Sequence, residues 1–273
     1  MLATLIIVFR EIIEAGLVVG IILATTRGVP RRGLWVTYGI IAGAFGACLV
    51  ALFADKIAGM MQGIGQEIFN ASILIIAVFM LGWHNVWMAR HGRTIAVEMK
   101  EIGAKVASGK RSLTALTVVV GVAVLREGSE IVLFLYGIII SGNETASSML
   151  IGGLIGLALG ALISALMYFG LLRIPARYLF SVTSWLISLL AAGMAAQAIG
   201  FLQQAGIINS LTHIVWDSSN ILSNGSITGK ALHTLIGYTD RPNQMQLIIY
   251  ITTLVVIFIL MKICKPAPYG SVK

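Results

Sequence analysis

The chain has 273 residues, of which 58% are hydrophobic and only 11% are charged. A water-soluble domain of this composition would have too little polar surface, so that class of protein is excluded. The formal net charge of +8 does not indicate nucleic-acid binding either, because no soluble portion is large enough to present a basic face. The chain is therefore expected to lie almost entirely in a membrane.

Apolar runs long enough to cross a bilayer recur along the chain. At roughly 20 residues per span, they predict seven transmembrane helices, over residues 2–24, 35–54, 68–89, 113–140, 148–172, 179–203 and 246–264. The first run has no basic segment before it and carries charges at its centre, so it is predicted to be a retained helix and not a cleaved signal peptide. We expect an all-α polytopic membrane protein with a single transmembrane domain over 1–264 and a short cytoplasmic tail over 265–273.

Basic residues concentrate in alternate connections of this scheme. The first, third and fifth connections and the tail contain Arg27, Arg31, Arg32, Arg90, Arg93, Lys100, Lys105, Lys110, Arg111, Arg173, Arg177, Lys262, Lys265 and Lys273. Because Lys and Arg near membrane ends stay on the cytoplasmic side, the N-terminus is predicted outside and the C-terminus inside, in a cytoplasmic (inner) or plasma membrane. The opposite side has the acidic residues Asp55, Glu67, Glu144, Asp217 and Asp240. These acids either attract cations or simply keep the loops soluble.

The longest outer segment, residues 204–245, mixes polar and apolar residues. It is predicted to be a re-entrant or interfacial loop. Its His213, Asp217 and His233 are either metal ligands or ordinary surface residues, and the sequence leaves both interpretations open.

Two copies of one charged pattern lie inside apolar helices. They are Arg10-Glu11-Ile12-Ile13-Glu14 in the first helix and Arg126-Glu127-Gly128-Ser129-Glu130 in the fourth. Ionisable residues in mid-membrane are costly and indicate function by default. Helix geometry places the three charged groups of each copy on one face, where the arginine can pair with the carboxylate one turn later. Each copy then keeps one net negative charge.

The spacing of the two motifs predicts the architecture. Three spans separate them, so their helices run in opposite directions, which indicates an inverted repeat of three plus three helices with the seventh added. Repeat one covers 1–89, repeat two 113–203 and the seventh helix 246–264. Small residues at Gly39 and Gly43, and at Gly152, Gly156 and Gly160, are typical of close helix packing.

The motif carboxylates predict a cation site. In such repeats Glu11, Glu14, Glu127 and Glu130 can meet near the membrane midplane, and a set of carboxylates without thiolate or imidazole selects a hard cation. The alternative is an ion-paired seam that only holds the helices together. A neutral pair would suffice for that purpose, so the two extra carboxylates favour cation binding over packing alone.

These motifs resemble those of the high-affinity iron permeases of the oxidase-dependent iron transporter family. The resemblance covers essentially the whole chain, including Glu67-Ile68-Phe69, the stretch from Trp83 to Met88, the run Ala191-Ala192-Gly193-Met194-Ala195, and Gly237-Tyr238. It implies import of iron, ferric after oxidation by a partner, across the cytoplasmic or plasma membrane. The ion would be carried by the motif glutamates and Glu67, with Arg10 and Arg126 balancing charge.

The resemblance also implies an extracytoplasmic partner, either a ferroxidase or an iron-binding or peroxidase-like protein. No permanently bound cofactor is expected; iron is the transported ion, and the lipid bilayer is the solvent. The chain departs from the family pattern at Asn70 and Gln204, where acidic residues are common. We expect a transporter and not an enzyme. Import of another cation such as Mn²⁺ or Pb²⁺ is an alternative, and a membrane-embedded di-metal oxidoreductase ranks lower because no His follows either motif at a suitable spacing.

Overall fold

The computed structural model describes residues 1–60, 65–140, 145–170 and 176–264. Its helices are α1 (Leu2–Thr25), α2 (Arg32–Met60), α3 (Gln66–Ala107), α4 (Thr114–Ile140), α5 (Ala146–Tyr168), α6 (Ala176–Gln204), α7 (Ile227–Ile236) and α8 (Gln244–Ile263). Within these ranges the only β-structure is an isolated bridge between Ile214 and Asn243. The all-α prediction is confirmed. Glu144, Arg173 and the tail over 265–273 lie outside the described residues.

Five helical stretches are long and apolar enough to cross a membrane. They are Arg32–Phe53, Gln66–Met88, Ala146–Tyr168, Ser181–Gln204 and Gln244–Ile263. Helices α1 and α4 have 24 and 27 residues and are also long and apolar, but each carries the three charged residues of one motif, which sets it apart from these five stretches. The chain is thus a multi-pass membrane protein, and crossing by α1 and α4 remains a prediction.

Helix α3 is longer than the sequence predicted. The third connection was expected to start after residue 89, but the helix continues to Ala107. The physical reason is an apolar stripe at helical spacing that includes Met99, Ile102 and Val106. Val106 is only 4% exposed and belongs to a core cluster with Ile22, Val36, Leu116 and Val120, while Met99 and Ile102 pack against that cluster. Tertiary contacts therefore stabilise this basic stretch as helix.

The described chain forms two compact units, and helices α3 and α6 contribute residues to both. The first unit covers Met1–Ile64 and Thr94–Thr183, and the second covers Gly65–Arg93 and Ser184–Lys273. In the first unit α1 packs against α5 and α4, and α4 packs against α2. The two motif helices are therefore central neighbours, and each has a glycine-rich helix on its other side.

Glycine makes these outer contacts close. A Cβ atom at Gly156 of α5 would lie 2.6 Å from the Leu5 carbonyl oxygen of α1, and one at Gly43 of α2 would lie 2.6 Å from the Gly121 carbonyl oxygen of α4. Real Cβ atoms do not approach other atoms so closely, so only glycine permits these backbones to meet. The predicted role of the two glycine registers in helix packing is confirmed.

In the second unit, the connection between α6 and α8 turns back along both helices. Gly237, the left-handed C-cap of α7, lies against Gly193, about 16 Å along α6 from its last residue, Gln204. The Tyr250 hydroxyl, roughly 9 Å into α8, donates a hydrogen bond to the Ile236 carbonyl. This geometry favours the re-entrant interpretation of the segment over the interfacial one.

The contact between Gly193 and Gly237 gives the first prediction. A Cβ at position 193 would lie 2.5 Å from the Gly237 Cα atom, which is backbone and cannot rotate away. We expect Gly193→Ala to displace α7 and to make residues 205–243 more sensitive to limited proteolysis. Gly82→Ala is the matched control, because its Cβ would meet only Ile257 side-chain atoms at 3.6 Å. Equal proteolysis of the two variants would contradict the close packing of α7 on α6.

Candidate metal centre

The first motif is fully buried on α1. Arg10 Nε donates a hydrogen bond to Glu14 Oε1 at 2.8 Å, as the one-turn spacing predicts. Arg10 Nη1 lies 3.9 Å from Glu11 Oε1. All three residues are buried, with exposures of 1% for Arg10, 0% for Glu11 and 4% for Glu14. The arginine thus fixes the Glu14 carboxylate and partly compensates the charge of Glu11.

The second motif repeats this geometry on α4 but is more open. Arg126 Nε donates to Glu130 Oε1 at 3.2 Å and lies 3.9 Å from Glu127 Oε1. The Arg126 side chain is 36% exposed, whereas the side chains of Glu127 and Glu130 are 10% and 16% exposed. Gly128 faces Ala47 of α2, where a Cβ would lie only 2.6 Å from the Ala47 Cβ. A larger residue between the two glutamates would therefore push α4 away from α2.

Three of the four motif glutamates converge. One carboxylate oxygen from each of Glu11, Glu127 and Glu130 lies within 4.8 Å of the other two. Glu127 Oε2 is buried and has no hydrogen-bond partner among the described residues. Such a set of hard oxygen donors fits a metal cation, because a cation bound there would satisfy buried oxygens that otherwise repel one another. The fourth glutamate, Glu14, lies one turn after Arg10 on α1 and accepts a hydrogen bond from it.

The other predicted site residues lie elsewhere. Glu67 is exposed in the first turn of α3, in the second unit, and Asn70 is half-buried one turn later. Gln204 is exposed at the end of α6. Among the described residues, Glu67 belongs to no group of side chains that could hold a metal ion.

The histidines and aspartates of the connection have structural contacts. Asp217 accepts hydrogen bonds from the backbone N–H and hydroxyl of Ser219 and forms an ion pair with Arg241 at 3.0 Å, which together hold the pKa of its carboxyl down to about 2. His233 Nδ1 lies 2.6 Å from the Tyr238 carbonyl oxygen, and burial lowers the pKa of His233. His213, Asp217 and His233 form no metal-binding group in the part of the chain that the structure describes.

Two adjacent buried polar side chains, His84 and Asn85, were not predicted from the sequence. In the stretch from Trp83 to Met88, which the sequence offered only as part of the family resemblance, His84 is 4% and Asn85 1% exposed, while Trp83 is 64% exposed. The signal was present as two adjacent polar residues within the otherwise apolar run Gln66–Met88. A buried polar residue in such a helix needs a partner, which a composition scan does not reveal.

Arginine removal should affect the two motifs unequally. Arg10→Met leaves the buried Glu14 carboxylate without its guanidinium, a change that typically costs about 3–5 kcal/mol. Arg126 is partly exposed, so water can compensate in Arg126→Met and the loss should be smaller. We expect less folded, monodisperse protein for Arg10→Met in size-exclusion chromatography of detergent extracts. Equal yields of the two variants would show that burial of the first motif does not govern stability.

The fold and the carboxylate cluster define a class: a polytopic membrane protein that buries charged motifs on adjacent helices. Comparison with known sequences specifies this class further. Residues 1–265 match the model of the iron permease FTR1 family. The chain belongs to this family, whose members are permeases, and the resemblance seen in the sequence is confirmed.

Relatives of similar length agree with this assignment. The chain is similar to the "Ferrous iron permease EfeU" of Yersinia pestis, with 29% identity over 99% of this chain and 96% of the relative. It is 30% identical to the protein of the same name from Escherichia coli O6:H1, over 95% of this chain and 96% of the relative. A "Putative inactive ferrous iron permease EfeU" of E. coli K12 is also 30% identical, over 93% of each chain. No solved structure matches.

Proposed function

We propose that this protein imports iron through the carboxylates of the two motifs. The observation that carries the proposal is the convergence of Glu11, Glu127 and Glu130 on two adjacent helices of an iron permease. The glutamates are the ligands of the passing ion. Arg10 and Arg126 offset part of their charge when no ion is present, which lowers the cost of the empty site.

The ion held between the motifs is proposed to be ferric. Carboxylate oxygens are hard donors, and the smaller, more highly charged Fe³⁺ binds them more tightly than Fe²⁺ does. A ferroxidase, iron-binding or peroxidase-like partner outside the membrane would supply it. Ferrous iron is the second candidate, and the names of the relatives, ferrous iron permeases, favour it. Ligands must be deprotonated to bind metal, so uptake of either ion is expected to weaken in acid.

The proposed architecture is the inverted repeat of three plus three helices with α8 added. It is supported by the pairing in the first unit, where α1 packs on α5 and α4 packs on α2. In such a repeat α4 is the counterpart of α1, and α5 is the counterpart of α2. The contact between α1 and α5 then corresponds to the contact between α4 and α2. The basic connections support an orientation with the N-terminus outside and the C-terminus in the cytoplasm. Glu67 would then lie at the outer end of α3.

The test is uptake of radiolabelled iron by cells that lack their own iron transport and express this protein. Ferric and ferrous iron are supplied separately, and Mn²⁺ and Pb²⁺ are added as competitors. Uptake that prefers ferric iron and resists both competitors is the expected result, whereas a preference for ferrous iron would favour the second candidate. Uptake that either competitor suppresses, together with uptake of that metal when labelled, would favour the alternative carrier. Absence of uptake of every metal, with the protein present in the membrane, would overturn the proposal.

A further inference from the structure

Helices α3 and α6 are joined in the second unit by a buried amide. Asn85 Nδ2 donates hydrogen bonds to the Ser184 carbonyl oxygen and to Ser188 Oγ, each at 3.1 Å. Ser188 Oγ in turn donates to the Ser184 carbonyl at 2.7 Å. All three residues are at most 9% exposed. Both helices contribute apolar stretches long enough to cross a membrane, so this is a polar contact within an apolar layer.

The direction of the Asn85 amide follows from its partners. A backbone carbonyl only accepts hydrogen bonds, so the nitrogen of the amide must face Ser184. The amide is planar, and its oxygen therefore points away from the two acceptors on α6. This oxygen, Oδ1, is buried and has no hydrogen-bond partner among the described residues. A buried acceptor without a donor is unfavourable, and the bilayer core offers no water to replace one.

We propose that Asn85 Oδ1 is a neutral oxygen ligand for the transported cation, in addition to the motif carboxylates. This inference rests on the proposed function. An amide oxygen is a hard donor of the kind that binds metal cations, and it carries no net charge. A neutral ligand holds a cation less tightly than carboxylates do, and weak, successive sites are what allow an ion to move on. Asn85 lies shortly before Met88, where the apolar stretch of α3 ends. In the proposed orientation, this end of the stretch lies in the inner half of the membrane.

Two variants separate the ligand role of Asn85 from its role in joining helices. Asn85→Leu has a similar size but no oxygen, whereas Ser188→Ala removes one acceptor of Nδ2 and leaves Oδ1 in place. Uptake of labelled iron is measured at equal membrane levels of each protein. We expect at least a tenfold loss for Asn85→Leu and at least half of normal uptake for Ser188→Ala. Equal uptake by the two variants would overturn the proposal.

A third variant decides the question if Asn85→Leu does not fold. Asn85→Asp keeps an oxygen at this position and adds a negative charge. If Asn85 contacts the ion, the added charge changes the KM for iron; if the residue only joins α3 to α6, KM equals that of the unmutated protein and only the maximal rate falls. An unchanged KM would overturn the proposal. Failure of the unmutated protein to take up iron would instead overturn the proposed function.

Discussion

Iron uptake is expected to fall at least tenfold when Glu11 or Glu127 is replaced by glutamine. Both side chains contribute an oxygen to the convergent cluster, and both are buried. Glutamine preserves the size of the side chain but removes its negative charge, so the metal loses a charged ligand in a layer of low dielectric constant. Loss of even one such interaction is worth a factor of ten or more in binding. The measurement is initial uptake of labelled iron at equal membrane levels.

The matched control is Glu101→Gln. Glu101 is exposed on α3, and its hydrogen bond from Lys105 lowers the pKa of its carboxyl. It undergoes the same chemical change but belongs to no metal-binding group among the described residues, so it should retain full uptake. Glu14→Gln and Glu130→Gln complete the series and are also expected to lose uptake, because each removes the partner of a motif arginine as well as a charge. Normal uptake by all four motif variants would disprove the role of the motifs in transport.

Substitution of Gly43 by alanine is expected to destabilise the protein by about 1–3 kcal/mol, the usual cost of forcing extra atoms into a packed interface. The new methyl would lie 2.6 Å from the Gly121 carbonyl oxygen and 2.8 Å from Val124 Cβ. Neither atom lies at the end of a flexible side chain, so α2 and α4 must separate. Thermal unfolding of the purified protein in detergent or nanodiscs measures the loss.

The same helix provides the control. Gly33 has nothing within 4 Å of an added Cβ, so Gly33→Ala should leave the unfolding temperature unchanged. Gly156→Ala, on the equivalent contact between α5 and α1, should resemble Gly43→Ala. A stable Gly43→Ala protein would indicate that the two helices are less closely packed than the structure shows.

The sequence predicted most of the helices and the residues of the cluster because both depend on local patterns. Hydropathy predicts long apolar helices, and the one-turn spacing of Arg10 and Glu14 predicts their ion pair. The hydropathy pattern did not predict that α3 continues to Ala107. Met99, Ile102 and Val106 repeat at helical spacing there, but the many charged residues between them lower the mean hydropathy of the stretch. Their burial depends on contacts with residues far away in the chain.

Contacts between residues far apart in the chain were the second feature that the sequence did not predict. Gly193 and Gly237 both belong to stretches that resemble the iron permeases, but nothing in their local sequence indicates that they touch. The partner of Asn85 was hidden for the same reason, since Ser184 and Ser188 look like ordinary helix residues. The sequence also treated the four glutamates as equivalent, whereas the structure groups Glu11, Glu127 and Glu130 and ties Glu14 closely to Arg10.

The pairing of α1 with α5 has a consequence for how the protein is made. Helix α4 follows its partner α2 in the nascent chain, so it meets a ready surface when it leaves the ribosome. Helix α1, with Arg10, Glu11 and Glu14 in its centre, emerges well before its main packing partners α4 and α5, which begin at Thr114 and Ala146. Charged residues make insertion of a lone helix unfavourable. Stable integration of the N-terminal helix therefore has to wait for synthesis of the second half, and truncated chains that stop before α5 should be degraded.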